Sequence, residues 1–162
     1  MINIKNIFIY ILCLFPWFLT IIIPIDYSLY DSIKLPFFSL PNLFYAIAWT
    51  ITYICIAISI YKIVTIYKWN NIPKSYKRTL LINYIFNQSF TLVFFLAKNL
   101  FLGFVSCLAT FVSTLYLYEE TNSLDEKSTK YLNPYVLLSL FATILSITIY
   151  IIENIISIII VV

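Results

Sequence analysis

Three amide side chains, Asn83, Asn87 and Gln88, lie inside Leu80 to Phe95 (LLINYIFNQSFTLVFF), a stretch otherwise apolar enough to cross a bilayer. On a helix, steps of three and four residues return to the same side, so Asn83, Asn87, Phe90 and Phe94 share one face. That face sets two hydrogen-bonding groups beside two aromatic rings. An amide without a partner in hydrocarbon costs several kcal/mol, so the face must look at protein, water or a bound ligand, not at lipid. The rest of the chain reads as a wall built opposite this stripe.

Other chemistries lack their residues. There is no His, which excludes a Ser-His-Asp triad and His-ligated zinc or haem. A single glycine, Gly103, leaves no phosphate loop, dinucleotide fingerprint or GxxxG face. Cys13, Cys55 and Cys107 sit far apart in apolar runs with no CxxC spacing, as small hydrophobes do. The expected cofactor and metal complement is therefore none. The net charge of +3 comes from basic residues gathered in short linkers, with no basic soluble face for nucleic acid. Hydrophobic residues make up 62% and charged residues 10% of the chain, a balance that belongs to an integral, multi-pass membrane protein.

Five apolar spans are available to position the stripe, at residues 7–25, 41–67, 78–97, 100–117 and 131–160, forming one domain over 1–162. The first has the positive start of a signal peptide but no small-x-small cleavage site, and Pro16 predicts a kink. A polar-aromatic loop, Asp26 to Ser39, is long enough to be a lid. Ser39 reads as a helix cap with Pro41 in the first turn. The second span, roughly 40 Å long at 1.5 Å per residue, must tilt or project. Lys68, Lys74, Lys77 and Arg78 form a basic linker around Trp69, an interfacial anchor, and Lys98-Asn99 makes a tight turn. Glu119 to Lys130 (EETNSLDEKSTK) reads as a solvated connector. Pro134 falls in the first turn of the last span, and Glu153 reads as a wet carboxylate one bilayer away, in preference to a buried ion site. The positive-inside rule puts the N-terminus in the cytoplasm and the first loop outside.

These residues, taken in order, resemble the TspO/MBR family, the translocator protein or peripheral-type benzodiazepine receptor family, and most of all its short Gram-positive forms. The likeness is densest in NYIFNQSF and in KNLFL, Lys98 to Leu102. The family pattern P-x-W-x-P-P-x-x-x-F-x-x-x-W-x-x-x-Y is met by Pro36, Pro41, Trp49 and Tyr53, with Tyr45 for Phe, Phe38 for the first Trp and Leu40 for the first paired proline. N-x-x-W-S-x-x-F-F becomes Asn87, Phe90, Thr91, Phe94 and Phe95; P-Y-x-x-W-x-x-F-A becomes Pro134, Tyr135, Leu138, Phe141 and Ala142.

The resemblance implies an all-α bundle of five transmembrane helices, often a homodimer, in a bacterial cell membrane. It implies non-covalent binding of porphyrins such as protoporphyrin IX in a pocket closed by the first loop. The implied site residues are Tyr30 in the lid, then Trp49, Tyr53, Asn87, Phe90, Leu138 and Ala142; Phe38, Phe94 and Cys107 are further ligand-binding candidates, Cys107 being by default a packed small side chain. A flat macrocycle suits such a site, with rings to stack on it and few polar groups to orient it. The alternative is an enzyme degrading porphyrin with light and oxygen, Trp49 being its redox-active group. Leu138 stands against that reading, because it replaces a family tryptophan and cannot donate an electron. A vestigial pocket in a scaffold or stress regulator is a third reading. No basic residue follows Tyr150, so the sterol motif is missing. Asn83 is expected to be glue between helices, whereas the resemblance assigns Asn87 to the pocket.

Overall fold

The computed structural model describes residues 4–22 and 32–161. Its helices are α1 (Ile4–Leu14, continued as a 3₁₀ stretch Phe15–Ile22), α2 (Asn42–Tyr67), α3 (Lys74–Phe90, continued as a π-helical turn Thr91–Leu96), α4 (Leu100–Leu124), the one-turn α5 (Glu126–Thr129) and α6 (Asn133–Val161). No strand occurs among the described residues. Four of these helices are long and apolar enough to cross a membrane, and α1 with its extension forms a shorter apolar helix over Ile4–Leu19. Around the bundle α1 packs on α2, α2 on α6, α6 on α4, α4 on α3, and α3 on the 3₁₀ extension of α1, so the ring closes.

The distribution of polarity is inverted relative to a water-soluble protein. Ile51, Ile85, Leu108, Leu115, Leu137 and Ile144 point outward, while Ser106, Thr110, Ser113, Thr114, Ser139, Thr143 and Ser146 are buried. Lipid is as apolar as leucine, so helices there gain by close approach over small residues, whose hydroxyls bond back to their own backbone. Gly103 shows how close that approach is: a Cβ there would lie 2.7 Å from Cδ2 of Phe94.

One half of the bundle is solid. Trp17, Ile56, Ile60, Ile63, Ile72, Tyr76, Leu117, Leu132 and Tyr135 form a continuous core. Trp17, at mid-span, is 2% exposed, and its ring lies 5.7 Å from Tyr53 and 5.4 Å from Tyr84. Pro16 marks a change from α to 3₁₀ winding instead of a sharp kink, and its carbonyl accepts from the Tyr84 hydroxyl at 3.1 Å. The expected end of this span at Ile25 lies outside the described residues.

Several expected boundaries are corrected. Helix α3 starts at Lys74, before residue 78, because Pro73 occupies its N-cap position and the Lys77 amide donates to the Pro73 carbonyl at 3.3 Å. Helix α4 does not stop at Leu117 but runs to Leu124, so the first half of the expected solvated connector is helix. Buried Thr121 donates to the Leu117 carbonyl at 2.6 Å, and the Tyr67 hydroxyl donates to the Leu124 carbonyl at 2.8 Å, fixing that extension against α2. Asp125 then caps α5, accepting from the Ser128 amide at 2.8 Å and from its hydroxyl. Those bonds, the hydroxyl's first, hold its carboxyl below the usual carboxylate range. Ser39 is not the cap of α2: Pro41 holds that position, and Ser39 Oγ pairs with the Tyr45 hydroxyl at 3.2 Å. The Lys98-Asn99 turn is as tight as expected, with Lys98 at φ 49° and Asn99 accepting from the Leu102 amide at 2.9 Å.

Candidate ligand-binding cavity

Above the Trp17 core the helices part around a cavity of about 380 Å³, within the range of small-molecule sites. Helix α2 contributes Tyr45, Trp49 and Tyr53 at steps of four, one ring per turn. Across from them α3 contributes Asn87, Phe90, Phe94 and Phe95. An ordinary helix would turn Phe95 away from the Phe90–Phe94 face. The π turn at Thr91–Leu96 adds a residue to that winding and brings Phe95 to the wall. Phe90 and Phe94 stack with centroids 5.1 Å apart and planes 20° apart, and Phe95 meets Phe94 edge-on at 5.0 Å. Helix α6 contributes Leu138, Phe141 and Ala142, and α4 contributes Cys107 and Thr110. None of these lining residues is charged, so the forces available are stacking, apolar burial and neutral hydrogen bonds.

One hydrogen-bonded chain ties four helices together at the cavity floor. Asn83, fully buried, donates to Ser113 Oγ at 3.0 Å and Thr114 Oγ1 at 2.9 Å, and accepts from the Tyr135 hydroxyl at 3.0 Å. That hydroxyl accepts from Asn87 Nδ2 at 3.2 Å. Asn87 Oδ1 accepts in turn from the Tyr53 hydroxyl at 3.1 Å and Gln88 Nε2 at 3.2 Å. The two amides of the stripe therefore divide their work: Asn83 joins α3 to α4 and α6, away from the cavity, while Asn87 joins α3 to α2 and α6 and also forms part of the cavity wall.

Of the residues singled out from the sequence, Trp49, Tyr53, Asn87, Phe90, Phe94, Cys107, Leu138 and Ala142 all surround this one cavity. Phe38 does not; its ring lies one layer out, 6.4 Å from that of Phe141. Tyr30 lies outside the described residues. The segment just after it is pinned to the bundle: the Lys34 amide donates to Glu153 Oε1 at 2.6 Å, and the Leu40 amide to the Tyr45 hydroxyl at 2.9 Å. Sequence reasoning overlooked Thr110, Ser139 and Ser146, small hydroxyl residues in the wall whose spacing along α4 and α6 carries no signal distinct from helix packing. It quoted Phe95 and Phe141 only as parts of family patterns.

The fold and cavity define a class: a multi-pass membrane bundle of five helices, with a small-molecule-sized neutral chamber in one half. The TspO/MBR family model matches residues 7–151, and the chain belongs to the TspO/MBR family. It is 38% identical over 131 residues to the "Tryptophan-rich protein TspO" of Bacillus cereus, covering 81% of this chain and 84% of that protein. It is 32% identical over 126 residues to the "Uncharacterized membrane protein YtaB" of Bacillus subtilis, covering 78% of this chain and 81% of that one.

Proposed function

We propose that this protein is a membrane receptor or carrier that binds porphyrins non-covalently in the cavity between α2, α3, α4 and α6. The observation that carries this reading is the pairing of two aromatic walls, Trp49–Tyr53 on α2 and Phe90–Phe94 on α3, with the amide of Asn87 between them and that of Asn42 also in the cavity wall. Such walls suit a flat, apolar macrocycle entering from the bilayer, and neutral amides orient it without the cost of burying a charge. The test is a titration of the detergent-purified protein with protoporphyrin IX in the dark, followed by the shift of the porphyrin absorbance band. Saturable binding, weakened by Asn87→Leu, supports the reading; no saturable binding by the wild type withdraws it.

A second reading, light- and oxygen-dependent porphyrin breakdown, has one observation in its favour. Trp49 lies 5.6 Å from Tyr53, and Tyr53 lies 5.7 Å from Trp17, so an oxidisable indole in the wall is continued by two further oxidisable rings. Under this reading bound porphyrin bleaches in light faster in the wild type than in Trp49→Phe. Equal rates leave the protein a binder only.

A further inference from the structure

Helices α2 and α6 pack on each other far less extensively than α4 and α6 do. A groove follows their seam on the outer surface of the bundle. It is lined by Leu40, Ala48 and Ile51 before and along α2 and by Leu137 on α6, with Ile51 and Leu137 exposed at its rims. No residue lining it is charged, so it can face the bilayer without cost. Two residues, Leu138 and Phe141, line both this groove and the cavity. At that point a single layer of side chains separates the cavity from the lipid side.

Phe141 meets two rings there. That of Tyr45 lies 6.4 Å away with the planes 28° apart, and that of Phe38 lies 6.4 Å away and edge-on. Both rings belong to one short unit. The Tyr45 hydroxyl accepts from the Leu40 amide at 2.9 Å and pairs with Ser39 Oγ at 3.2 Å, and the Ser39 amide donates to the Pro36 carbonyl at 2.9 Å. The bond from the Lys34 amide to Glu153 anchors the other end of this segment to α6. A phenylalanine, the residue of the family pattern at position 45, would keep the ring contact and make neither hydroxyl bond.

We infer that the α2–α6 groove is the entry site by which a ligand dissolved in the bilayer reaches the cavity, with Phe141 as the movable side of the partition and the Tyr45 hydroxyl as the latch that keeps it closed. This rests on the porphyrin reading and extends it: the macrocycle passes edge-first between α2 and α6 and never crosses water. Side-chain rotation of Leu138 and Phe141 opens the way, and no backbone hydrogen bond has to break in lipid, because each helix keeps its own. Tyr45 is a positioning residue here, since its hydroxyl acts on the ligand only through Leu40 and Phe141.

The experiment measures association and dissociation rates of protoporphyrin IX in the dark, by tryptophan quenching after rapid mixing, with the protein in lipid nanodiscs. Wild type, Tyr45→Phe and Ala48→Leu are compared. Tyr45→Phe keeps the ring and removes the latch, so association is expected to quicken by about fivefold, the worth of one neutral hydrogen bond. Hydrogen exchange at the Leu40 amide in the ligand-free protein is expected to quicken with it. A mere loss of contact in the wall would raise the dissociation rate alone. Ala48 lines the groove and not the cavity, so Ala48→Leu narrows the entry and leaves the bound state as it is. It is expected to slow association and dissociation by one common factor of about fivefold or more, the low end of what overpacking costs, with the equilibrium affinity unchanged. An association rate left unchanged by either variant overturns the entry site and leaves the porphyrin reading standing. Failure of the wild type to bind protoporphyrin IX overturns the porphyrin reading and the entry site with it.

Discussion

Replacing Asn83 by leucine removes an amide that is fully buried and makes good hydrogen bonds to Ser113, Thr114 and Tyr135. Ser113 and Thr114 lose little, because each still donates to the Thr110 carbonyl. Tyr135 loses its acceptor, so a buried phenol O–H is left unpaired. Side-chain hydrogen bonds within membranes average about 0.6 kcal/mol each, and an orphaned buried donor adds about 1–3 kcal/mol. Asn83→Leu should therefore cost about 2–4 kcal/mol of stability. In Tyr135→Phe the phenol is gone, so adding Asn83→Leu strands no donor, and the pair should cost about 1–2 kcal/mol less than the sum of the single changes. The assay is reversible unfolding in mixed detergent micelles as the denaturing detergent fraction is raised. Porphyrin affinity, measured on the same samples, should follow Asn87 and not Asn83. Additive losses, within about 0.5 kcal/mol, would refute the account of the floor network.

Three further outcomes follow from single contacts. Gly103→Ala places a methyl group against the Phe94 ring, so it should cost about 1–3 kcal/mol and weaken porphyrin binding by displacing a wall ring, read by the same unfolding and titration assays. Asp125 has its folded pKa depressed, so its stabilisation is present above the unfolded carboxylate pKa and lost as pH falls through the lower folded value. The stability gap between wild type and Asp125→Ala should accordingly shrink as pH is lowered below about 4, as unfolding curves at stepped pH would reveal. Glu153→Ala removes the acceptor for the Lys34 amide, and hydrogen exchange at Lys34 should quicken while exchange in α4 stays unchanged.

The part of the site legible in the sequence is the part set by helical periodicity. Asn83, Asn87, Phe90 and Phe94 share a face because three- and four-residue steps hold up to Phe94, and their polarity within an apolar run shows that the face avoids lipid. The family patterns added Trp49, Tyr53, Leu138 and Ala142, which periodicity alone does not separate from core. What stayed hidden depends on partners distant in the chain. The π turn sits where Phe94 approaches Gly103, a neighbour distant in the chain, and nothing local in TLVFFL announces it. Helix α4 continues through EETNSL because Tyr67 and Thr121 hold its last turns, although the charges read as a connector. Tyr45 reads as a ring in a family Phe position. Only the bonds of its hydroxyl to Ser39 and Leu40 distinguish it, and those are facts of three-dimensional placement.

The central claim, that porphyrin occupies the cavity beside Trp49, is tested most directly by asking which tryptophan it quenches. The chain has three: Trp49 in the cavity wall, Trp17 beneath it against Tyr53, and Trp69 in the linker at the opposite end, half exposed and under Lys77. Wild type, Trp49→Phe and Trp69→Phe are titrated with protoporphyrin IX in the dark, and the quenched fraction at saturation is compared. The account predicts a smaller quenched fraction in Trp49→Phe and a larger one in Trp69→Phe, because the first removes a quenched emitter and the second an unquenched one. The opposite order would place the porphyrin at the linker end of the bundle and contradict the assignment.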